Sequence, residues 1–563
     1  MKRTLAWILA GLMAVSMSAC NQETKQETTQ PGSAPVESTP TEAKTNEKQP
    51  FEGTIIQLSD ESITVDGEAI ASDESAAVYA AHDIIFYLEG QDFTYGEGTA
   101  DDEHSQEEAD KHTVVHITQP GDYQLSGTLS AGQIAIDLGE EAEEDPNAVV
   151  NLYLNGVDIT CTVAPGVIFY NVYECGEKDE ETATKDVDTS AAGANVFIVD
   201  GTENTVNGSY VARIYKSVEL SEDGKTVVDS KKLHKYDAAF YSKQSMNING
   251  GDGILNINAE NEGLDSELHL TINGGIVDIN SGNDGINTNE DSVSVTTING
   301  GEVNIVVNGS TGEGDGIDSN GWLVINGGTV NASACGFSGD AGIDSDMGIH
   351  VNGGTVLATG NMYDRLEEGG QIYAVLTFAE RQSGGQTYSL KNAAGQELFS
   401  VTPANDFMYL ILSSPDLAEG TYSLWLGEMQ LAHGGSGMMG GFGGGHLMGQ
   451  LPGNIQRPEA FDGQQPPEGM ENAPMNPDKI GGFKPMEQLQ PNEDGSYTLP
   501  DGSTVSAEEF QQRMEEFREQ GGKGMGGQRP NGVPNNTAEL SADFTIQNGA
   551  NFFSGIAIPS ETN

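Results

Sequence analysis

The stretch LTINGGIVDI at residues 270–279 returns as LVINGGTVNA at residues 323–332. Its central Asn-Gly-Gly occurs five times, at spacings of 24, 26, 27 and 26 residues, beginning at Asn249, Asn273, Asn299, Asn326 and Asn352. Apolar and polar residues alternate around each triplet, which is the pattern of a β-strand and not of a helix. A period of this length indicates a solenoid whose short strands turn at Asn-Gly-Gly, where glycine adopts the backbone angles of a tight corner.

Further columns align when the repeats are compared. An apolar column, predicted to face inward, contains Phe240, Leu264, Ile286, Ile317 and Ile343. A second apolar column contains Ile272, Ile298, Ile325 and Val351. The columns predict an all-β fold, a right-handed single-stranded parallel β-helix from about Val114 to Met362 with a core of aliphatic ladders. Leucine-rich repeats lack support because no leucine framework or interposed helix is present, and propeller blades need a longer period.

Composition divides the rest of the chain. The predicted organisation is a lipoprotein signal peptide at 1–20, a disordered tether at 21–50, a β-rich lead-in at 51–112, the β-helix at 113–370, a C-terminal β-rich accessory region that caps it at 371–432, a Gly/Met/Pro-rich insertion at 433–537 and terminal strands at 538–563. The insertion contains a short island, a hairpin from Tyr497 to Val505 and then a helix with an apolar stripe of Phe510, Met514 and Phe517.

The N-terminus has the pattern of an export signal. Lys2 and Arg3 precede a short apolar run, and Met17-Ser-Ala-Cys20 follows it. The run is too short for a permanent membrane span, and the residues before Cys20 resemble the lipobox of bacterial lipoproteins. We therefore expect Cys20 to carry lipid and to hold the protein on the extracellular face of the bacterial cell membrane. A plain secretory signal with an incidental cysteine is the alternative.

Net charge limits the partners. The chain has 86 Asp and Glu against 25 Lys and Arg, a formal net charge of −61. Nucleic acid and anionic lipid are therefore poor partners, and an acidic polysaccharide needs a cation between it and the protein. A solvated acidic surface kept for solubility is the alternative explanation. Of the remaining cysteines, Cys161 and Cys175 are candidates for a disulfide and Cys335 for the core.

The residues directly after the first apolar column are mostly polar, and they suggest a metal site. Adjacent coils lie ~4.8 Å apart, so oxygen atoms of successive turns can share one calcium ion at about 2.3 to 2.6 Å. The candidate calcium ligands are Asp265, Asp284, Asn287, Asp315, Asp318, Asp344 and Asp346. The alternative for each residue is that it only bonds a turn backbone or a side-chain ladder. For the column as a whole, repulsion between stacked carboxylates favours a metal.

One aromatic residue is a candidate for carbohydrate contact. Trp322 occupies a position, predicted to face outward, that holds Gln244, His269 and Met347 in other turns. An exposed indole can stack on a sugar ring, and His269 occupies the equivalent position in another turn. Trp322 and His269 are therefore the predicted carbohydrate-binding residues. A tryptophan that covers a loop or an apolar edge is the alternative.

Several segments resemble a known family. They are the opening from Tyr123 to Ile136, the segment from Val150 to Ile159 and the Asp-Gly-Ile-Asp-Ser pattern from Asp315 to Ser319. They resemble the bacterial carbohydrate-binding, calcium-binding parallel β-helix family, which is related in fold to pectate lyases. The resemblance extends from about Val114 to Leu431 and implies binding of cellulose or acidic sugars with bound calcium. The Gly/Met/Pro-rich insertion lies outside it.

Catalysis is disfavoured by the distribution of basic residues. From Gln244 to Asp364 the chain has no Lys or Arg, while it has 17 Asp or Glu. A calcium-assisted elimination commonly needs a strong base, which only flanking residues such as Lys231, Lys232, Lys235, Lys243 and Arg365 could supply. The sequence therefore predicts a non-catalytic, monomeric binder of a cellulose-type or acidic, pectin-type polysaccharide. A calcium-dependent lyase is the first alternative, and a surface adhesion or scaffold protein that binds another protein is the second.

Overall fold

The computed structural model describes residues 51–176, 178–436 and 540–559, together with the backbone of residues 497–498 and 504–505. The chain divides into two units, Met1–Phe51 and Glu52–Asn563, and the description below concerns the second. The export signal, Cys20, the tether and the predicted helix with Phe510 lie outside the described residues.

The described residues form almost only β-structure. Regular helix is limited to α1 (Gln106–Ala109) and a single 3₁₀ segment at Glu140–Glu144. The strands of the N-terminal part are β1 (Thr54–Leu58), β2 (Thr64–Val65), β3 (Glu68–Ala69), β4 (Val78–Ala81), β5 (Thr113–Ile117), β6 (Gly121–Leu129), β7 (Gly132–Asp137), β8 (Val150–Cys161) and β9 (Val167–Asn171). No helix in the described ranges is long and apolar enough to cross a bilayer. The predicted all-β class is confirmed.

The repeat region and the C-terminal region supply the other strands. Those of the repeat region are β10 (Ala194–Ile198), β11 (Glu203–Gly208), β12 (Val211–Leu220), β13 (Val227–Tyr236), β14 (Ala238–Ser242), β15 (Met246–Gly250), β16 (Ile254–Ala259), β17 (Glu262–Ser266), β18 (His269–Ile272), β19 (Ile276–Ser281), β20 (Ile286–Thr288), β21 (Val295–Ile298), β22 (Glu302–Val307), β23 (Trp322–Ile325), β24 (Thr329–Ser333), β25 (Gly348–Val351) and β26 (Thr355–Gly360). Those of the C-terminal region are β27 (Tyr373–Gln382), β28 (Tyr388–Asn392), β29 (Glu397–Val401), β30 (Phe407–Ser413), β31 (Gly420–Leu426), β32 (Met429–Gln430), β33 (Gly435–Ser436), β34 (Tyr497–Thr498), β35 (Thr504–Val505), β36 (Phe544–Ile546) and β37 (Ala550–Ile556). The short strands β34 and β35 pair antiparallel, as the predicted hairpin requires.

Strands of the N-terminal part and of the repeat region together form three parallel ladders. The first ladder joins β1, β6, β8, β10, β15, β18, β21, β23 and β25. The second joins β8, β11, β16, β19, β22, β24 and β26. The third joins β5, β7, β9, β14, β17 and β20. Each strand therefore pairs with the equivalent strand one repeat away, in the parallel direction that the sequence repeat predicts.

The predicted apolar columns form the core. Ile272, Ile298, Ile325 and Val351 lie in register along the first ladder and are all buried. Phe240, Leu264 and Ile286 lie in register along the third ladder, and a bridge from Ile286 to Ile317 extends the column. Each fully buried aliphatic side chain stabilises the fold by about 1.5–3 kcal/mol. Both predicted columns are confirmed as core.

In the Asn-Gly-Gly corners, glycine and asparagine have different structural roles. Gly301 has a φ of +84°, and a Cβ there would lie 2.5 Å from the carbonyl oxygen of Gly275 in the preceding coil. The asparagines instead bond to one another, because each Nδ2 donates to the Oδ1 of the asparagine one coil earlier. These bonds, from Asn273 to Asn249 and onward to Asn299, Asn326 and Asn352, measure 3.1, 2.9, 2.9 and 2.9 Å. We call this row the asparagine ladder.

Antiparallel strands follow the last repeats. Strand β26 pairs antiparallel with β30, which pairs antiparallel with β27, and β37 adds parallel to β27. Phe544 and Phe553 of the C-terminal strands are buried in a second core with Phe407 and Tyr388. The backbones of His433 and Ser541 exchange two hydrogen bonds, of 2.8 and 3.0 Å. The chain before residue 437 and the chain after residue 539 are thus held side by side.

The cysteines are not paired. Cys161 and Cys335 are buried, Cys175 is half-buried, and all three are free thiols. The candidate disulfide between Cys161 and Cys175 is therefore not formed in this structure.

Candidate functional site

Three carboxylates meet where the third ladder passes from β14 to β17. Asp237 directly precedes β14, and Glu262 and Asp265 belong to β17, whose register places Glu262 beside Ala238 and Asp265 beside Tyr241. One carboxylate oxygen from each of the three acids lies within 4.8 Å of the other two. The three residues are only 8%, 6% and 0% exposed. Among the described residues this is the one group of three metal-ligating side chains so close together. We call it the carboxylate cluster.

Amide and ammonium groups surround the carboxylate cluster. Asn289 Nδ2 donates to both oxygens of Asp265 at 3.0 and 2.9 Å, and Asn287 Nδ2 donates to Glu262 Oε1 at 3.2 Å. Lys235 Nζ lies 2.5 Å from Asp237 Oδ2. The cluster thus holds three acids against one directly bonded cation.

Burial and mutual repulsion shift the titration of the cluster. Burial raises the pKa of Glu262 and of Asp265 well above the ordinary range, and neighbouring carboxylates raise each further. Burial also raises the pKa of Asp237, although Lys235 opposes this effect. Burial lowers the pKa of Lys235, but Asp237, Glu262 and Asp265 outweigh it, so the pKa of Lys235 is raised overall. A divalent cation would favour the charged forms of all three acids.

Two oxygen atoms at the cluster have no hydrogen-bond partner among the described residues. They are Glu262 Oε2 and Asn287 Oδ1, and both are buried. A buried polar atom without a partner is costly unless an ion or water satisfies it. Calcium takes about six to eight oxygen ligands, from carboxylates and from amide or backbone carbonyls. The donor set of the cluster therefore fits calcium in chemical type.

The other predicted ligands are Asp284, Asp315, Asp318, Asp344 and Asp346, which lie in successive repeats beyond the carboxylate cluster. We call them the acidic column. Asp284 Oδ1 accepts from the backbone N–H of Asp315 at 2.6 Å, and Asp315 Oδ1 accepts from that of Ala341 at 2.5 Å. These two carboxylates thus bond the backbone of the next coil, as the alternative to metal binding describes. Burial and neighbouring acids raise the pKa of Asp315 to about 9 and that of Asp284 to about 7.

Asp318, Asp344 and Asp346 form the next part of the acidic column. Burial raises the pKa of Asp318 and of Asp344 to about 7, and the charge of Asp346 contributes to both shifts. The structure therefore brings Asp265 and Asn287 to the carboxylate cluster and places Asp284 electrostatically close to it. It does not bring Asp315, Asp318, Asp344 and Asp346 into that cluster.

The predicted carbohydrate-binding residues have different surroundings. Trp322 is partly exposed, and its register partners are Val295 and Gly348, so Met347 does not share its column. His269 is 1% exposed, and its Nδ1 accepts from the backbone N–H of Val295 at 3.1 Å. A Cβ on Gly176 would lie 2.4 Å from His269 Cδ2, which shows how closely the chain at Gly176 covers the ring. His269 lies on the outer side of its strand, as predicted, but the chain at Gly176 buries its ring, so the predicted contact of His269 with a carbohydrate does not agree with the structure.

A polar groove lies on the outer face of the first ladder. Its volume is about 650 Å³, the asparagine ladder forms its floor, and the loop of residues 185–190 forms one wall. Thr189 fixes this wall, because its Oγ1 lies 2.7 Å from both Asn247 Oδ1 and Thr271 Oγ1. Asn247 Nδ2 returns a bond of 2.8 Å to the Thr189 carbonyl oxygen. We call this feature the asparagine groove.

One end of the asparagine groove is aromatic. Phe197 pairs in register with Asn249, so it continues the row of the asparagine ladder by one strand. Its ring stacks on Tyr153 with centroids 4.7 Å apart and an interplanar angle of 14°. Phe197 lines the groove and is partly exposed.

Comparisons with known proteins give a family match. The family described as carbohydrate-binding domain-containing protein matches residues 111–397. A carbohydrate-binding domain-containing protein of Acetivibrio thermocellus is 31% identical over 166 residues, which are 29% of this chain and 44% of the relative. The chain thus spans less than half the length of this curated relative.

A solved structure, a gadolinium derivative of the polysaccharide lyase-like protein from C. thermocellum, aligns with 54% of this chain and 94% of its own. The sequence identity is 20% and the TM-score is 0.30, and these values are too low to show a shared fold.

Proposed function

The chain belongs to the family of carbohydrate-binding domain-containing proteins, and from this premise we propose that it is a non-catalytic polysaccharide-binding protein of the bacterial surface. The observation that carries the proposal is the extent of the family match. Residues 111–397 include every strand of the three ladders except β1, together with the carboxylate cluster and the asparagine groove.

The architecture proposed for this region is a right-handed parallel β-helix. Three parallel ladders, each advancing by one repeat per strand, support three faces that wind around the aliphatic core. Anchoring through a lipid on Cys20 and a monomeric state complete the proposal, and the pattern before Cys20 supports the anchor.

Calcium is the cofactor proposed for the carboxylate cluster. Asp237, Glu262 and Asp265 supply carboxylates, and Asn287 supplies an amide oxygen that has no other partner among the described residues. All four residues are buried. An ion enclosed in this way stabilises the fold and is poorly placed to bridge to a polysaccharide. The polysaccharide would then bind to an exposed surface outside the carboxylate cluster.

A glycan array tests the proposed function. The mature protein is applied to cellulose-type, other β-linked and pectin-type glycans, once with calcium and once with chelator. Retention of one of these glycan classes with calcium is the expected result. Absence of retention under both conditions would overturn the proposal in favour of a protein-binding adhesin. Deletion of residues 437–539, which keeps β33 and the bonds between His433 and Ser541, would abolish the binding of such an adhesin to its partner.

Matched variants test the calcium assignment. Asp265→Asn removes a cluster charge, whereas Asp278→Asn removes a charge whose Oδ1 accepts from Asn304 on the second ladder at 2.8 Å. Calcium should raise the melting temperature of the wild type and of Asp278→Asn, because an ion bound only by the folded chain stabilises it. The rise should be lost in Asp265→Asn. Equal calcium responses of all three proteins would remove the cluster as the site.

One contact keeps a lyase as the second candidate. Lys235 places a basic nitrogen 2.5 Å from Asp237 of the proposed calcium site, and elimination from a uronate commonly needs such a neighbour. The ion pair with Asp237, and that of Lys232 with Glu267 at 2.8 Å, support a structural role for these lysines. Incubation with pectin-type substrates decides, because a lyase produces an unsaturated product with a new ultraviolet absorbance that Lys235→Ala would abolish.

A further inference from the structure

The floor of the asparagine groove presents repeated hydrogen-bonding groups. An asparagine amide has two N–H donors and two acceptor lone pairs. In the interior rungs Asn273, Asn299 and Asn326, the ladder uses one donor and one lone pair of each amide. These three side chains are exposed. Each rung therefore offers one further donor and one further acceptor, and the pattern repeats every ~4.8 Å along the ladder.

This repeat matches the chemistry of a linear polysaccharide. Each sugar unit carries hydroxyl groups that both donate and accept, and its length along the chain is comparable to the distance between rungs. A polysaccharide chain that lies perpendicular to the β-strands would therefore meet the same amide geometry at each sugar. The wall is already fixed through Thr189, so ligand binding would require little ordering of the protein.

The aromatic end supplies the apolar contact that sugar recognition commonly uses. Phe197 stands next in the row after Asn249 and is held against Tyr153 by stacking. A sugar ring has an apolar C–H face, and a partly exposed phenyl ring is a suitable surface for it. The groove thus combines a polar track with one aromatic platform.

Charge selects the class of glycan. The wall contains one cation, Lys185, and two anions, Asp186 and Asp188, so its formal charge is −1. Lys185 is engaged by Asp186 at 2.7 Å. Burial and the nearby Lys185 lower the pKa of His350, which therefore adds no charge at neutral pH. A polyuronate would meet no net positive charge here, whereas a neutral glycan has nothing to be repelled.

We propose that the asparagine groove binds one strand of a neutral, hydroxyl-rich polysaccharide along the asparagine ladder, with one sugar per rung and one sugar stacked on Phe197. The inference rests on the proposed function and deepens it, because it assigns glycan contact to this groove and not to the calcium site or Trp322.

Three variants and one control test this assignment. Phe197→Ala removes the platform, Asn299→Ala removes an interior rung, and Val187→Trp adds bulk at the wall without removing a rung. The control is Asn280→Ala, because the exposed Asn280 belongs to a second amide row, where its Oδ1 accepts from Asn308 Nδ2 at 2.9 Å. Thermal melting confirms that each variant folds.

Calorimetric titration with a soluble neutral β-glucan, and separately with polygalacturonate, supplies the readout at fixed calcium. We expect each groove variant to bind the neutral glucan at least tenfold more weakly than the wild type, and Asn280→Ala to bind it as the wild type does. If folded groove variants bind like the wild type, the groove assignment is overturned while the proposed function stands. If the wild type binds only polygalacturonate, the neutral class is overturned. If it binds no glycan, the proposed function itself fails.

Discussion

Single carboxylates of the acidic column should make the stability of the metal-free protein depend on pH. The pKa of Asp284, Asp318 and Asp344 rises to about 7 and that of Asp315 to about 9, from an ordinary value of 3.8. Between the ordinary and the raised values the folded state holds more protons than the unfolded state, so the free energy of unfolding falls as pH rises. Each carboxyl shifted to about 7 contributes on the order of 4 kcal/mol to this fall.

Thermal melting in chelator, measured from about pH 4 to about pH 9, checks this expectation. The melting temperature should decrease across the range. Asp315→Asn keeps an acceptor for the Ala341 N–H but loses the charge, so its decrease should be smaller than that of the wild type. An identical pH profile for the two proteins would contradict the electrostatic explanation.

Alanine variants at two glycines distinguish the effect of backbone strain on stability from the effect of close packing. Gly301 has a φ of +84° and a preceding coil 2.5 Å from its added Cβ, whereas Gly156 has a φ of +81° and open space around it. Alanine at either position costs about 1–2 kcal/mol for the left-handed backbone. Gly301→Ala must also displace the backbone at Gly275, so it should lower the free energy of unfolding further. Urea unfolding of both variants measures the difference, and equal losses would contradict it.

At the residue scale the sequence predicted part of the candidate site. Asp265 and Asn287 were predictable because they fall in one aligned column on paired strands. Asp237 lies just before a strand and Glu262 at the first position of one, so the aligned column does not include them. His269 was predicted outward because alternation places it there, and only the chain at Gly176, distant in sequence, buries it.

Among the elements, strand β37 has a clear role in stabilising the C-terminal region. It pairs parallel with β27 and buries Phe553 and Ile556 in the second core. Loss of such large buried side chains costs about 3–5 kcal/mol each for an aromatic residue. Deletion of residues 548–563 should therefore destabilise the C-terminal region and expose it to limited proteolysis. Deletion of residues 560–563 alone, which leaves β37 intact, should not, and equal protease sensitivity of the two truncations would contradict this role.

The elements also show which signals a sequence carries. The parallel pairing and the apolar columns follow from a repeat of nearly constant period, so they were predictable from Ile272, Ile298 and Ile325. The asparagine groove was not predictable in this way. Its wall, residues 185–190, comes from an irregular connection outside the repeat, and its position depends on bonds from Thr189 to Asn247 and Thr271.

For the whole molecule, the net charge of −61 predicts a dependence on salt. Like charges on the folded chain repel one another, and compaction increases this repulsion. Salt at about 0.1 M shortens the range of such interactions to about 10 Å. The melting temperature in chelator should therefore rise with sodium chloride from low salt to this range. A melting temperature that falls would show that attractive pairs such as Arg213 with Glu97 outweigh the repulsion, and a constant one would show that the two balance.

The backbones of His433 and Ser541 are hydrogen-bonded to each other. Two points of the chain that are far apart in sequence therefore lie side by side in the fold. For a flexible connection between two neighbouring points, the entropic cost of closure grows only slowly with length, by about 0.6 kcal/mol for each doubling. Lengthening or shortening the chain between these two points should therefore change the stability of the described fold little. This makes the pair of His433 and Ser541 a suitable attachment point for an additional domain.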